Sequence, residues 1–446
     1  MRINLPHPNK FAKIWEEVTG VALNKTVKGI VTDSREVRPG DLYIAISGDR
    51  VDGHTFIKDV FEKGAVCALV NSEIENADEQ LIKVNNSVST IGKVAKAWRN
   101  QFDIPVMGIT GSNGKTSTKE LLKHMLSAQF NIHATEGNFN TSIGLPLTLL
   151  RLTKENTISL LEMGANQPGD IAQLCEIAQP THGVITNIAP AHLEGFGTIE
   201  AVAKTKSELF ACLAKGVSFI NAADYRVGAL EILGDSISFG LTPECDYPAD
   251  IHHEKDGTIT LTVDAEEIPT HSVNLTFAKN VIACVAISRT LGLSWGEIRE
   301  NIASFKPPKG RCEVKNNGMI TIIDDTYNAN LESTVAAIDY LKAFSGNGQR
   351  IFVFGDMFEL GDLSQDQHRR VGEKCNEAEL SAVFTIGEET VTTDAIITYS
   401  ELHKHFDNKD DLLISLKSIV KDGDKVLVKG SRGMKMETIV EAMLAV

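Results

Sequence analysis

A glycine-rich turn between an apolar strand and a helix constrains the fold of this chain most. Ile104–Thr110 has the apolar pattern of a buried strand, and Glu120–Leu126 has the pattern of a helix. Between them runs Gly-Ser-Asn-Gly-Lys-Thr-Ser, from Gly111 to Ser117. Glycines let backbone N–H groups approach phosphate oxygens, a lysine supplies positive charge, and a threonine hydroxyl can bind magnesium. The segment therefore predicts a nucleoside triphosphate site.

The plainer alternative is a Gly-Asn-Gly turn that caps an ordinary helix and binds nothing. The strand before the turn and the helix after it favour the phosphate site, because that context is what the motif requires. The residues predicted to bind the phosphates and their magnesium ion are Thr110, Gly111, Ser112, Asn113, Gly114, Lys115, Thr116 and Ser117.

Composition excludes several classes of protein. The chain has 446 residues, which suggests about three domains, and its net charge of −15 argues against a nucleic-acid binder. No apolar run approaches the roughly 18 residues of a membrane span, and Met1–Lys10 lacks the apolar core of a signal peptide. Seven cysteines without a C-x-x-C pair suggest buried thiols rather than disulfides or a metal site. We expect a cytoplasmic protein without a membrane segment.

Strand and helix signals divide the chain into three α/β parts. Residues 1–85 alternate short strands with loops, residues 86–312 carry the phosphate turn and further apolar strands, and a proline-rich break at Lys306–Arg311 precedes a third series. We predict a small N-terminal α/β module, a central parallel sheet of the P-loop ATPase type, and a doubly wound, Rossmann-like domain at 313–446.

Polar side chains follow the apolar strands of the central part, where open parallel sheets bind ligands. Glu162 ends one strand and is suited to the magnesium beside Thr116; the alternative is a carboxylate satisfied by a helix N-terminus or a salt bridge. His192 lies in a Pro- and Gly-containing loop, where a structural histidine is the more common case. In the helical segment Ile199–Phe210 the charged residues read as a solvated face.

Four longer motifs carry a resemblance to a known family, the Mur ligases, which form amide bonds with ATP in the synthesis of peptidoglycan precursors. They are Thr135–Pro146, Asp324–Asn330, Phe354–Gly361 and Val428–Glu437. The resemblance covers essentially the whole chain. It implies ATP and two Mg²⁺ ions as cofactors, and UDP-N-acetylmuramoyl-tripeptide and D-alanyl-D-alanine as substrates. Three self-contained domains favour a monomer.

The resemblance also implies roles for individual residues. Lys115, His192 and Lys206 would be catalytic, and the metal ligands would be Thr116, Glu162, His192 and Lys206, with Lys206 carbamylated and Lys204 as the register-slip alternative. Further nucleotide-binding residues would be Asn280, Arg311, Asp325, Tyr327, Asn328 and Asn330. Substrate-binding residues would be Ser34, Arg35, Asp52, His54, Asn138 and Asn140, although turn-stabilising roles compete for those of the first part.

Three positions depart from the family pattern. Ala283 stands where a second asparagine is usual, three residues after Asn280, which bears on the contact with adenine. Thr141 replaces an asparagine, and Leu331 replaces a proline; both bear on substrate or hinge contacts and not on the reaction type. Two other functions remain open at this point: an amide ligase of the same fold that acts on another acid, such as a folylpolyglutamate synthetase, and a catalytically silent nucleotide-binding protein.

Overall fold

The N-terminal part of the chain is a five-stranded sheet with helices packed on it. The structure is a computed structural model that describes residues 1–48, 51–74, 80–190, 193–400 and 402–445. The sheet order is β1-β2-β3-β4-β5, antiparallel between the first two strands and parallel between the others. The elements are β1 (Arg2–Asn4), α1 (Pro8–Thr19), β2 (Gly29–Val31), β3 (Asp41–Ile44), α2 (Ile57–Glu62), β4 (Cys67–Val70), β5 (Leu81–Lys83) and α3 (Ser87–Arg99).

Helix α3 joins this sheet to the rest of the molecule. It packs against α1 on one side, and Trp98 is fully buried in a core that also holds Trp15 of α1. The Trp98 indole N–H donates to the carbonyl oxygen of Leu152 at 3.2 Å, so the ring is fixed to the central part. Helix α1 presents Phe11, Ile14 and Trp15 to the same core, at the spacing of one helix face.

The central part is a nine-stranded sheet in the order β14-β13-β12-β11-β10-β9-β6-β8-β7. Its strands are β6 (Val106–Thr110), β7 (Ile132–Ala134), β8 (Ile158–Glu162), β9 (His182–Ile185), β10 (Val217–Asn221), β11 (Asp235–Gly240), β12 (Tyr247–His253), β13 (Ile259–Val263) and β14 (Glu266–Pro269). Its helices are α4 (Lys115–Leu126), α5 (Gly144–Leu149), α6 (Asp170–Ala178), α7 (Leu193–Phe196), α8 (Ile199–Ala211), α9 (Tyr225–Gly228), α10 (Leu275–Thr290) and α11 (Trp295–Ser304).

The predicted parallel sheet is correct for the seven strands from β12 to β7 in sheet order, which include β6. The sequence analysis did not predict the antiparallel strands at the other edge. Strands β12, β13 and β14 pair antiparallel at one edge. The motif strand β6 lies inside the parallel part, between β8 and β9. Its residues are buried on both faces, since Val106 joins the core with Trp98 and Met107 joins the core under α4 and α10.

The third sheet has the order β15-β16-β20-β17-β18-β19 and is parallel except for its first pair. Two separate hydrophobic clusters cover its faces, as a doubly wound sheet requires, so the predicted three-domain α/β fold is confirmed. The elements are β15 (Glu313–Asn316), β16 (Thr321–Asp325), α12 (Leu331–Ala343), β17 (Arg350–Gly355), α13 (Ser364–Glu377), β18 (Ala382–Ile386), α14 (Val391–Ile396), β19 (Leu402–Phe406), α15 (Lys409–Ile419), β20 (Lys425–Lys429) and α16 (Glu437–Leu444).

Most cysteine side chains of the described residues are buried. All seven cysteines are free thiols, five of them buried, with Cys212 exposed and Cys312 partly exposed. Among the described helices, none combines the length and apolar character needed to cross a membrane.

The buried imidazole of His133 gives the central sheet a pH-dependent stability. Its Nδ1 lies 2.8 Å from the Ser159 hydroxyl and its Nε2 lies 2.8 Å from the Thr148 carbonyl oxygen. Burial lowers the pKa of His133 from 6.5 to about 4. Between pH 6.5 and 4 this histidine is protonated in the unfolded chain but neutral in the folded protein. The free energy of unfolding therefore decreases as the pH is lowered from 6.5 to 4, by about 3 kcal/mol in all.

We expect His133→Gln, which keeps an amide donor for Thr148, to remove that part of the pH dependence. The measurement is the free energy of unfolding in urea between pH 7 and 4 for wild type and variant. Other groups titrate in both proteins, so the difference between the two curves isolates His133. Curves that stay parallel from pH 6.5 to 4 would contradict the assignment.

Candidate active site

The turn after β6 requires its two glycines. Strand β6 ends at Thr110, and a Cβ added to Gly111 would stand 1.8 Å from the Thr186 hydroxyl oxygen. Gly114 has a φ of 81°, in the left-handed region, and its Cβ would meet the Asn280 amide at 3.0 Å. Helix α4 starts directly afterwards, so its free N–H groups face the turn. This is the backbone that a phosphate cradle needs.

The loop after the neighbouring strand β9 holds the turn in place. The Asn187 side-chain oxygen accepts from the backbone N–H of Asn113 at 2.8 Å, and its carbonyl oxygen accepts from that of Ser112 at 3.0 Å. The Ser112 hydroxyl donates to the Ala189 carbonyl oxygen at 2.8 Å. Sequence reasoning did not select Asn187, although its place just beyond the strand beside β6 is the signal that could have identified it.

Lys115 bends back over the turn and meets carbonyl groups only. Its ammonium donates to the Gly111 carbonyl oxygen at 2.5 Å and to that of Ser112 at 3.3 Å. Burial lowers the pKa of Lys115, the Glu162 carboxylate opposes the shift, and the Arg311 guanidinium adds to it. The side chain is thus a cation without an ion-pair partner among the described residues, placed where phosphate oxygens would approach.

The Glu162 carboxylate at the end of β8 has one free oxygen. Its Oε1 accepts from the Asn140 amide at 2.9 Å, whereas its buried Oε2 has no hydrogen-bond partner in the described part of the chain. In the described residues, neither a salt bridge nor a helix N-terminus satisfies this Oε2 atom, so neither alternative that the sequence left open applies to it. A buried carboxylate oxygen without a partner is costly, so the geometry suits a cation.

This donor set fits magnesium in its chemistry. Glu162 and the Thr116 hydroxyl line one cavity and both offer oxygen. Magnesium usually keeps several waters and substrate phosphates among its ligands and takes one or two carboxylates from the protein. The described residues hold no cluster of three or more His, Cys, Asp or Glu side chains that could hold a metal ion. His192, the predicted ligand of a second ion, lies outside the described residues.

Lys206 is a buried amine on α8. Its side chain is 3% exposed, whereas Lys204 on the same helix is exposed. Burial, and secondly the charge of Lys115, lower the pKa of Lys206 well below its ordinary value. Lys206 therefore lies within electrostatic reach of Lys115 and favours the neutral amine. This contrast supports Lys206 over Lys204 as the residue with a special role.

Arg311, at the boundary with the third part of the chain, and Asn330, inside the third part, reach the phosphate turn from the other side. The Arg311 guanidinium donates to the Thr116 hydroxyl at 3.0 Å and stacks on the Tyr327 ring at 4.0 Å. Asn330, the N-cap of α12, donates through its amide to the Asn113 side-chain oxygen at 2.7 Å. These contacts connect residues about 200 positions apart in the chain.

Asp325 and Asn328 are held by a lysine that sequence reasoning missed. The buried Lys429 ammonium ion-pairs with Asp325 and donates to the Asn328 carbonyl oxygen at 3.0 Å. Asp325 also accepts from the backbone N–H of Cys312 at 3.1 Å. Lys429 pairs in register with Asp325 across β20 and β16, so the sheet order brings the charges together.

A cavity of about 810 Å³ lies between the central and third sheets, a volume suited to a nucleotide with part of a second substrate. Its walls include fourteen of the predicted residues: Ser112, Asn113, Gly114, Lys115, Thr116, Ser117, Asn140, Glu162, Asn280, Arg311, Asp325, Tyr327, Asn328 and Asn330. One cavity therefore contains most of the predicted nucleotide and metal residues.

Some predicted residues do not line this cavity. Thr110 and Gly111 lie beneath it in the turn, where the Thr110 hydroxyl donates to the Met163 carbonyl oxygen at 2.8 Å. Asn138 is exposed in the loop before Asn140, and Lys206 lies behind the wall.

Ala283 does not reach the cavity, whereas Asn280 on the same helix lines it. Ala283 is buried in the core under α4 and α10, so its departure from the family pattern leaves the cavity wall intact. The wall near Asn280 instead includes Phe277 and Phe305, whose rings stack with centroids 5.7 Å apart.

The predicted substrate residues of the first part also lie elsewhere. Ser34 is buried, and the exposed Arg35 side chain ion-pairs with Asp33. Asp52 caps the short turn at 53–56 and lies 2.6 Å from the His54 Nδ1 atom, while the His54 Nε2 atom accepts from the backbone N–H of residue 71. For Asp52 and His54 these contacts agree with the loop-stabilising alternative.

Sequence profiles of known families match three consecutive stretches of the chain. They are the Mur ligase family catalytic domain at residues 26–99, the Mur ligase middle domain at 109–288, and the Mur ligase glutamate ligase domain at 310–432. Relatives named UDP-N-acetylmuramoyl-tripeptide–D-alanyl-D-alanine ligase are 32% identical in Bacillus subtilis, over 97% of both chains, and 35% identical in Escherichia coli, over 94% of both.

Solved structures agree with these matches. MurF from Acinetobacter baumannii superposes with a TM-score of 0.87 at 28% identity over 98% of both chains. MurF ligase from Thermotoga maritima in complex with ADP gives 0.82 at 32% identity, over 93% of this chain and 97% of that one. Three family profiles, full-length relatives above 30% identity and the same three-domain fold lead to one conclusion: the chain belongs to the Mur ligase family.

Proposed function

We propose that this chain is the ADP-forming ligase that joins D-alanyl-D-alanine to UDP-N-acetylmuramoyl-tripeptide in peptidoglycan precursor synthesis. The main observation behind this proposal is one cavity that combines a phosphate turn, a buried carboxylate oxygen without a partner in the described residues, and Arg311 from the boundary with the third part of the chain. The substrates are taken from the curated relatives, which carry this name at 30–35% identity over 92–97% of the chain.

The first half of the reaction is phosphoryl transfer. The terminal carboxylate of the tripeptide attacks the γ-phosphorus of ATP, the bond to the ADP oxygen breaks, and an acyl phosphate forms. Lys115 and Arg311 are placed to offset the charge on the transferring group, because neither forms an ion pair with a carboxylate in the described part of the chain. The free N–H groups at the start of α4 hold the β- and γ-phosphates.

Thr116 and Glu162 would hold one magnesium ion, and His192 and Lys206 would contribute to a second. When bound, magnesium supplies positive charge that offsets the charge of the phosphoryl group. Lys206 is a ligand only as a carbamate. The burial that lowers its pKa favours the neutral amine, which is the form whose lone pair attacks carbon dioxide, with loss of one proton.

The second half of the reaction forms the amide bond. The amine of D-alanyl-D-alanine attacks the activated carbonyl, and phosphate leaves from the tetrahedral intermediate. Asn138 and Asn140 are assigned to the loop beside the joining substrates; Asn140 lines the cavity and binds Glu162. The third part closes the site against water, supported by the Asn330–Asn113 contact and by the Arg311–Thr116 contact at its boundary.

Each part of the chain receives a role in this proposal. Residues 1–85 bind the UDP moiety, residues 86–312 bind ATP, and residues 313–446 close over ATP and bind the incoming dipeptide. Three self-contained domains suit a monomer, and we place the protein in the cytoplasm.

The test is phosphate release from ATP with magnesium and the UDP-linked tripeptide, with and without D-alanyl-D-alanine, with the product followed by mass. Tripeptides ending in diaminopimelate and in lysine are compared, because the third residue is not fixed by the chain. The expected product is a pentapeptide that requires the dipeptide. ATP binding with no product from either tripeptide would contradict the proposal and favour a ligase for another acid or a silent nucleotide-binding protein.

Binding of the UDP moiety leads to a prediction for Arg35. Its exposed guanidinium, now paired with Asp33, is free to turn to a diphosphate. We expect Arg35→Ala to raise KM for the UDP-linked tripeptide about tenfold with kcat nearly unchanged, since the contact is made equally in ground and transition states. Arg38→Ala, an exposed arginine of the same loop, is the matched control. An unchanged KM would show that Arg35 only stabilises its turn.

A further inference from the structure

A second lysine of helix α4, Lys119, is buried without being part of the cavity. Its side chain is completely inaccessible to solvent, a state that lysine adopts only when its charge is paired and hydrogen-bonded. It lies one helical turn beyond Lys115, and its ammonium donates to the Thr135 carbonyl oxygen at 2.6 Å and lies 2.8 Å from a carboxylate oxygen of Glu120. A methionine would fill the same space without the cost of burying charge, so the ammonium calls for a specific explanation.

Thr135, the partner of Lys119, is the residue at which the chain leaves β7 for the loop toward Asn140. Its hydroxyl oxygen accepts from the backbone N–H of Glu162 at 3.0 Å, and its own N–H donates to the Leu160 carbonyl oxygen at 3.0 Å. It thus contacts both the helix of the phosphate turn and the strand that ends in the unpaired carboxylate.

The same loop returns to Glu162 a second time. The Asn140 amide donates to Glu162 Oε1 at 2.9 Å, and the Asn140 carbonyl oxygen accepts from the backbone N–H of Gly164 at 2.8 Å. Both ends of this loop therefore bear on the position of one carboxylate. The end at Thr135 is tied to α4 through the buried Lys119 ammonium.

We propose that Lys119 is a positioning residue that sets the Glu162 carboxylate and Asn140 at the correct distance from Thr116 on its own helix. It acts through Thr135 and touches neither substrate nor metal. The inference rests on the proposed function, in which Thr116 and Glu162 hold magnesium. Loss of an outer contact that orients a metal ligand typically costs about 10- to 100-fold in metal affinity.

The test measures metal coupling without catalysis. ADP binding is followed by calorimetry in EDTA and in saturating Mg²⁺. The dissociation constant in EDTA divided by the dissociation constant in Mg²⁺ reports how strongly the site holds the metal with the nucleotide. We expect Lys119→Met to lower this ratio about tenfold. Lys123→Met, an exposed lysine one turn further along α4, should keep the wild-type ratio. A purely structural Lys119 would lower the unfolding temperature but leave the ratio of the folded protein unchanged, which would overturn the proposal.

Two further variants keep the outcome decisive. Thr135→Val removes the oxygen that accepts from Glu162, so it should lower the ratio as well; an unchanged ratio overturns the proposal even if Lys119→Met does not fold. Glu162→Gln tests the proposed magnesium site on which the role of Lys119 rests. If Glu162→Gln lowers the ratio and Lys119→Met does not, only the role of Lys119 fails. If Glu162→Gln leaves the ratio unchanged, the metal assignment and the inference built on it both fail.

Discussion

Lys206→Ala is expected to slow pentapeptide formation by about 10³-fold, whereas Lys204→Ala should stay near the wild-type rate. The reason is the contrast between the two side chains on α8: Lys206 is buried with a pKa well below its ordinary value, and Lys204 is exposed. A carbamate on Lys206 would place an anionic oxygen within electrostatic reach of Lys115, and alanine removes it. The measurement is kcat at saturating substrates, with the UDP-linked tripeptide and D-alanyl-D-alanine.

The cause of the loss can be separated from a packing defect. Wild type and Lys204→Ala incubated with isotopically labelled bicarbonate should both give a carbamate carbon signal by NMR, and Lys206→Ala should not. A short carboxylic acid added to Lys206→Ala should restore part of the rate, because it supplies the missing oxygen ligand. A signal that disappears in Lys204→Ala and persists in Lys206→Ala would assign the carbamate to Lys204.

The parts of this site that sequence predicted are local in the chain. The turn residues fall within six positions of the chain: Gly111, Gly114, Lys115 and Thr116. Their spacing alone therefore predicts a turn that leads into a helix N-terminus. Glu162 was selected for a similar reason, since it ends an apolar strand and strand ends of a parallel sheet share one edge. In both cases the chemistry follows from a single strand and the residues after it.

The parts that were missed depend on strand order and on distant packing. Lys429 meets Asp325 only because β20 inserts between β16 and β17, an order that no local pattern encodes. Asn187 supports the turn because β9 is the neighbour of β6 and not of β8. The side of α10 that carries Ala283 is likewise decided by packing against α4, which is why a departure in the motif turned out to leave the cavity wall unchanged.

Lys115→Met is expected to slow phosphoryl transfer by about 10²- to 10³-fold while leaving the unligated protein at least as stable as wild type. The two effects have one origin. The Lys115 ammonium is partly buried and, among the described residues, is bonded only to the carbonyl oxygens of Gly111 and Ser112, so its charge is offset only when phosphate arrives. Methionine has a similar length and no charge, so it removes the cost of burial and the stabilisation of the transferring group together.

The stability half of this prediction has a definite pH dependence. Because burial lowers the pKa of Lys115 in the folded protein, the unfolded chain holds its proton to higher pH, and wild-type stability rises as pH passes upward through the lowered pKa. The advantage of Lys115→Met over wild type should therefore shrink between pH 7 and 10, measured by urea unfolding without nucleotide. Single-turnover phosphate release gives the rate, with Lys123→Met as the control. A variant that is slow and also much less stable than wild type at pH 7 would mean that Lys115 serves chiefly to hold the turn together through its two carbonyl contacts, and the charge needed for phosphoryl transfer would then have to be assigned mainly to Arg311.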